Sequence, residues 1–265
     1  MENKVQWAVV TGASSGIGYC YAQALAKRGI NVFVTARRKD RLDQLKEHLQ
    51  SKYGVEIEVF VCDLLEENAP QKIFDAASAG GRSIDILINN AGLGHFGNFL
   101  ENKYDDHRVA MSINMERLSS LIWLFAKSML NSKNSCYIQN IASISSFIST
   151  PKLAVYAATK AYVHSLSRAL ATEWRDTNIK ISCLCPGLTT TEFMERADWK
   201  LGSLAAKGAM SSECVVEMGC QALFSGKMVK ITGFTNWMYV LLSRFVPYKI
   251  VIALFQRMLG TKASV

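Results

Sequence analysis

The stretch Thr11-Gly12-Ala13-Ser14-Ser15-Gly16-Ile17-Gly18 lies between a short apolar run, Val5 to Thr11, and a helically spaced segment, Ile17 to Arg28, that closes on Gly29. An apolar run ending in a glycine-rich turn reads as a buried strand, and a glycine after the last periodic residue reads as a helix C-cap. In that setting each glycine has a task. Gly12 permits a tight exit from the strand. Gly16 and Gly18 let a dinucleotide pyrophosphate approach the backbone and let the helix pack close to the sheet. The exposed N–H groups of the first helical turn favour an anion. A glycine cluster alone would be no more than a tight turn. The strand before it and the helix after it point to a cofactor cradle made by Gly12, Ser14, Ser15, Gly16, Ile17 and Gly18.

The same rhythm runs onward. Strands are expected at 31–36, 55–62, 84–89, 135–141 and 180–185, alternating with helices at 39–53, 68–79, 104–130 and 154–172. Near-continuous apolar strands between helices predict a parallel sheet covered on both faces, an α/β Rossmann-type doubly wound fold. No linker interrupts this before residue 190. Residues 1–230 are therefore expected to form the dinucleotide-binding and catalytic domain. Residues 231–265 are expected to add a C-terminal amphipathic helical extension to it.

Composition narrows the class. A chain of 265 residues with 49% hydrophobic and 20% charged residues can bury a substantial core and is not disordered. No apolar run approaches the roughly 18 residues needed to span a bilayer, and the N-terminus shows no secretory signal. The seven cysteines are scattered, mostly in apolar surroundings, and read as reduced and buried. Cys183-x-Cys185 has neither a second pair nor a nearby His, so no metal is expected. These features suggest the cytoplasm, or a cytosol-facing surface. The net charge is +8, and no acid follows Glu217 while Lys227, Lys230, Arg244, Lys249, Arg257 and Lys262 do. That asymmetry points to an anionic surface; no nucleic-acid partner is expected.

The end of the second strand bears on the cofactor. An acid there would hold the adenosine ribose hydroxyls and repel a 2′-phosphate. The chain instead reads Thr35-Ala36-Arg37-Arg38, with no acid until Asp40. Arg37 and Arg38 can make forked, charge-assisted hydrogen bonds to a phosphate, so NADP(H) is expected.

Tyr156 and Lys160 stand four apart on a helix, hence on one face. A neighbouring ammonium stabilises a phenolate and should draw the tyrosine pKa down, letting it trade a proton with a carbonyl or alcohol oxygen. Ser143, thirteen residues upstream, is suited to hydrogen-bond the substrate oxygen. Ser145 and Ser146 compete for that task.

Thr11-Gly12-x-x-x-Gly16-x-Gly18, Asp63-Leu64, Asn89-Asn90-Ala91-Gly92, Asn114, Ser143, Tyr156-x-x-x-Lys160 and Pro186-Gly187 occur in this order. From Val5 to about Thr191 the chain resembles the short-chain dehydrogenase/reductase family. The resemblance implies that Lys160 holds the nicotinamide ribose and that Asn114 fixes a water relaying protons to it. It implies further that Asp63 accepts from the adenine amino group, with Leu64 nearby. Asn90, Ala91 and Gly92 would pass the adenosine ribose. Pro186 and Gly187 would open a loop whose Thr189 backbone and Thr191 hydroxyl reach the nicotinamide side. Family members usually carry an aliphatic residue at the Thr189 position, so only backbone contacts are expected from it.

Glu192 to Met210 reads as a lid carrying Phe193, Met194, Trp199, Leu201 and Leu204, facing Leu93, His95 and Phe96. Such a lining suits an apolar ketone or alcohol of acyl, steroid or terpenoid kind, or serves only to pack the lid. In the extension, two short apolar runs, 237–242 and 250–255, flank Arg244, Pro247 and Lys249. They suit an anionic membrane surface, a subunit contact in a homodimer or homotetramer, or cover for the pocket. The expected activity is an NADP(H)-dependent carbonyl reductase or alcohol dehydrogenase. A non-catalytic dinucleotide sensor or membrane-associated scaffold is the alternative.

Overall fold

The computed structural model describes residues 6–197, 208–247 and 249–252. Seven strands, all parallel, form one sheet: β1 (Trp7–Thr11), β2 (Asn31–Ala36), β3 (Ile57–Val61), β4 (Ile84–Asn89), β5 (Cys136–Ile141), β6 (Ile179–Cys185) and, third along the remaining chain, β9 (Val229–Ile231). Their spatial order is β3-β2-β1-β4-β5-β6-β9. The chain runs outward from β1 in one direction and then returns to the far side of it at β4. That reversal opens a crevice at the carboxyl ends of the strands, where such sheets bind ligands.

The sheet is covered on both faces, as the strand pattern predicts. Side chains alternate across β1: Ala8 and Val10 join one core, while Trp7 and Val9 join the other. Helices α1 (Gly16–Ala26) and α2 (Lys39–Tyr53) contribute Leu25, Leu42 and Leu45 to the first core. Helix α3 (Ala69–Ser78) and helix α5 (Leu118–Met129) contribute Ile73, Leu121 and Phe125 to the second. Helix α1 can lie this close because of Gly18, where a Cβ would collide with Gly12 O and the Asn90 amide nitrogen.

The structure departs from the sequence reading in three places. The single helix expected over 104–130 is broken: α4 (Tyr104–Met111) and α5 are joined by a π-helical turn, Ser112–Arg117. Helix α6 (Ala154–Glu173) follows as expected. Beyond β6 come elements the sequence reading did not assign. Short strands β7 (Thr189–Thr190) and β8 (Met210–Ser211) pair with each other, flanking helix α7 (Phe193–Arg196), and helix α8 (Ser212–Phe224) packs onto the sheet. Finally, β9 pairs with β6 and so runs across residue 230, where the extension was expected to begin. Helix α9 (Phe234–Leu242) then folds back, its Val240 packing with Ile144, Leu188 and Ile231.

Candidate active site

A cleft of about 330 Å³ follows the carboxyl edge of the sheet from Arg38 to Phe193. It is lined by every residue nominated for the cofactor except Gly18, and by Ser143, Tyr156 and Lys160. Gly18 sits behind the cradle in α1, and Asn114 behind the catalytic end.

The cradle is braced from within. Thr11 Oγ1 accepts from the backbone N–H of Asn90 at 3.0 Å and of Ala91 at 3.1 Å, while Asn90 Nδ2 donates to Thr11 O at 2.9 Å and Gly12 O at 3.2 Å. The Asn90 side chain thus holds the turn in shape. Ser15 stands at the N-cap of α1, and Ser15, Gly16 and Ile17 of this first turn line the cleft. Arg38 is clamped by Ser14, and exposed Arg37 leans on Asp63 at 3.7 Å. Asp63 also accepts from Leu65 N at 3.0 Å, turning the chain at the arginine-lined end of the cleft. The residues present fit a dinucleotide: a glycine-lined helix start for a pyrophosphate, guanidinium groups beyond it and an apolar far end.

At that far end the sequence expectation for Tyr156 needs correction. Burial pushes the phenol up to about 12, with a hydrogen bond from Ser143 working the other way. The Lys160 ammonium lies 5.7 Å from the ring centroid and donates to Ile141 O at 2.7 Å. The ammonium is thus held by a carbonyl and not bonded to the phenol oxygen, and burial outweighs the depression expected from the i,i+4 spacing. Lys160 is itself buried, which draws its pKa down to about 8. Ser143 and Ser145 both line the cleft, and Ser146 does not. Ser143 Oγ accepts from Ser145 N at 3.1 Å and faces Tyr156, whereas Ser146 Oγ donates to Lys160 O at 2.9 Å.

Asn114 sits in the π-helical turn, the local distortion that re-aims a side chain. Its Oδ1 accepts from Leu93 N at 2.9 Å, and its Nδ2 donates to Leu93 O at 2.8 Å and to Thr159 Oγ1 at 2.9 Å. Thr159, which the sequence reading passed over, donates in turn to Tyr156 O at 2.8 Å. A hydrogen-bonded chain thus ties the loop after β4 to the Tyr156 turn of α6. Gly94 was also missed. A Cβ there would lie 2.8 Å from Tyr156 Cδ2 and 2.9 Å from Phe193 Cζ, so the loop touches the tyrosine ring directly.

The remaining nominated residues divide. Pro186 O accepts from Ile144 N at 2.9 Å, and Thr189 Oγ1 donates to Gly187 O at 3.0 Å, so that hydroxyl is used within its own turn. Thr191 Oγ1 accepts from Phe193 N at 3.2 Å, so that hydroxyl too is used locally. Leu93, Phe193 and Met194 line the cleft. His95 does not; it borders a second, smaller cavity that shares Tyr156 as a wall. Trp199, Leu201 and Leu204 lie outside the described residues. Cys183 and Cys185 are buried with their sulfurs 3.8 Å apart; among the described residues nothing joins them in a group able to hold a metal. Six of the seven cysteines are buried and free as expected, but Cys214 is exposed.

Comparison with known proteins agrees with this geometry. The family model for short chain dehydrogenase matches residues 6–201. An uncharacterized oxidoreductase of Staphylococcus saprophyticus is 31% identical over 235 residues, covering 89% of this chain and 97% of that protein. The very-long-chain 3-oxoacyl-CoA reductase of Mus musculus is 30% identical over 244 residues, covering 88% of this chain and 77% of the relative. A short-chain dehydrogenase from Sphingobium yanoikuyae, solved in complex with NADPH, superimposes with a TM-score of 0.82 at 27% identity, covering 98% of this chain and 97% of that one. The chain belongs to the short-chain dehydrogenase/reductase family. It is an oxidoreductase of hydroxyl and carbonyl groups, in a family that uses nicotinamide dinucleotides.

Proposed function

We propose that this enzyme interconverts an apolar ketone and a secondary alcohol with NADP(H), using Tyr156, Ser143, Lys160 and Asn114. The observation that carries this reading is the gathering of Ser143, Tyr156 and buried Lys160 at one end of a cleft whose other end is arginine-rich. A bound nicotinamide would supply or accept the hydride. The chain's own residues do the rest. With its pKa near 12, Tyr156 holds its proton at neutral pH and is ready to donate it to a carbonyl oxygen during reduction. Ser143 Oγ donates to the same oxygen as charge develops on it. Lys160, charged below about pH 8, stabilises the phenolate left behind and binds ribose hydroxyls. Asn114 holds the Leu93 loop and, with a water, links Lys160 to solvent.

For the cofactor we read Gly12, Ser14, Ser15, Gly16 and Ile17 as the pyrophosphate site, with Gly18 as its packing support. Arg37 and Arg38 take the 2′-phosphate. Asp63, Leu64, Asn90, Ala91 and Gly92 surround the adenosine, and Pro186, Gly187, Thr189 and Thr191 the nicotinamide. The relative solved with NADPH and the arginines in place of an acid support the phosphorylated cofactor. Apolar Leu93, Ile144, Leu153, Leu188, Phe193 and Met194 support a lipophilic substrate, as does the 3-oxoacyl-CoA reductase activity in the mouse relative's name. Beyond the cleft we infer a homodimer or homotetramer and a peripheral contact of the C-terminal extension with an anionic membrane. Its exposed Phe234, Trp237, Phe245 and Ile250 support the latter.

Tyr156→Phe tests the chemistry. It is expected to keep the NADPH Kd within about twofold while turnover falls by about 10²-fold to 10⁴-fold on any ketone that the wild type accepts. Screening ketosteroids, 3-ketoacyl thioesters and aromatic ketones by NADPH oxidation supplies the substrate. Retained turnover in the variant would remove Tyr156 from the reaction.

A further inference from the structure

Glu192 lines the cleft directly before α7, and two guanidinium groups hold its carboxylate. Arg38 Nη1 donates to Glu192 Oε2 at 2.8 Å, and Arg41 Nη1 donates to Glu192 Oε1 at 3.4 Å. The rest of the Arg38 fork belongs to Ser14. Nε and Nη2 donate to Ser14 Oγ at 3.2 and 3.0 Å, and Nη2 donates to Ser14 O at 3.1 Å. Ser14 is buried in the cradle, so Arg38 is fixed in orientation with Nη1 pointing at an anion. The anion it meets is the chain's own.

We propose that Glu192 is an internal counter-anion that competes with the cofactor 2′-phosphate for Arg38 and Arg41, and so sets the strength of the NADP(H) preference. This rests on the reading of Arg37 and Arg38 as the phosphate site. Two physical points favour it. The Arg38–Glu192 pair is about one-third exposed on both sides (33% and 31%), so water screens it and it opens at small cost. A phosphate monoester near pH 7 carries close to two charges against one for a carboxylate, and so wins the guanidinium while still losing some affinity to the incumbent. Arg37 is exposed and its own carboxylate partner, Asp63, stands at 3.7 Å against 2.8 Å for Glu192 on Arg38, so Glu192 is the closer competitor.

The exchange also reaches the catalytic end. Glu192 directly precedes α7, whose Phe193 ring lies 5.2 Å from the Tyr156 ring. Phosphate binding releases Glu192 and with it the start of the segment that packs on the tyrosine.

Titration calorimetry on the wild type and Glu192→Gln, with NADPH, NADH and adenosine 2′,5′-bisphosphate as probes, decides the matter. Glu192→Gln is expected to bind NADPH and the bisphosphate about threefold to fivefold more tightly than the wild type, with the NADH Kd unchanged. If the wild type prefers NADPH but the variant leaves its Kd unchanged, weakens it, or tightens NADH equally, the counter-anion role is overturned while the phosphate site stands. If the wild type binds NADPH and NADH alike and ignores the bisphosphate, the phosphate site falls, and this inference with it.

Discussion

The two ends of the cleft are built on opposite electrostatic terms. At the catalytic end Lys160 is buried and its ammonium is satisfied by one carbonyl, so every charge there is costly and every contact close. At the arginine-rich end Arg37, Arg38, Arg41 and Glu192 stand partly in water, paired in overlapping combinations. Buried groups are hard to change without loss, because their neighbours cannot rearrange and water cannot substitute. Screened charges can be exchanged one for another at about 1 kcal/mol or less. The difference assigns rigid positioning to one end and adjustable affinity to the other.

The comparison is attacked most severely by adding a single methyl at the rigid end. Gly94→Ala places a Cβ where Tyr156 Cδ2 and Phe193 Cζ already stand. It is expected to lower kcat/KM by about 10²-fold through displacement of the tyrosine, while the NADPH Kd hardly moves. Activity within twofold of the wild type would show that the catalytic end yields as easily as the rim.

A somewhat smaller effect is expected in stability. Burial draws the Lys160 pKa down to about 8 in the folded chain, from 10.5 for a solvated lysine. Between these values the unfolded chain still binds a proton that the folded chain has released, so stability gains from this group as pH rises. Urea unfolding of the wild type and Lys160→Met is therefore expected to show the wild type gaining on the order of 2 kcal/mol relative to the variant between about pH 8 and 10.5. Taking the difference between variants cancels the opposing trend of buried phenols and thiols, whose raised pKa values make them lose stability at high pH. A flat difference would mean that the lysine is effectively solvated.

The same contrast explains what was legible in the sequence. The glycine cradle, the alternating strands and Tyr156-x-x-x-Lys160 are local patterns, and each appears where the pattern put it. What was missed depends on contacts between distant segments. The π-helical turn at Asn114 follows from its amide reaching Leu93, twenty-one residues earlier. Helix α8 is obscured by Gly219, which is small because the Tyr21 hydroxyl packs against it from α1. Strand β9, three residues long, takes its identity only from pairing with β6. The direction of the Tyr156 pKa shift failed for a related reason: spacing reports which groups are neighbours, not how deeply they are buried.

The smallest expected effect lies farthest out, on the extension. Helix α9 has one side tied to the cleft: Asn236 packs so closely on Gly187 that a Cβ there would collide, and Val240 packs beside Leu188. Its other side leaves Phe234 and Trp237 exposed with their ring centroids 6.0 Å apart, and Phe245 follows at 79% exposure. Cations follow these aromatics and acids do not. No helix among the described residues is long and apolar enough to cross a membrane. Phe245→Asp with Lys249→Glu is therefore expected to lower co-sedimentation with phosphatidylserine vesicles by about fivefold or more, since each cation near such a surface contributes about 1 kcal/mol. Binding to neutral phosphatidylcholine vesicles should be weak for both proteins. If instead the variant binds vesicles as before and light scattering shows a smaller assembly, the aromatics meet a second subunit. The rim would then be adjustable through protein contacts rather than through lipid charge.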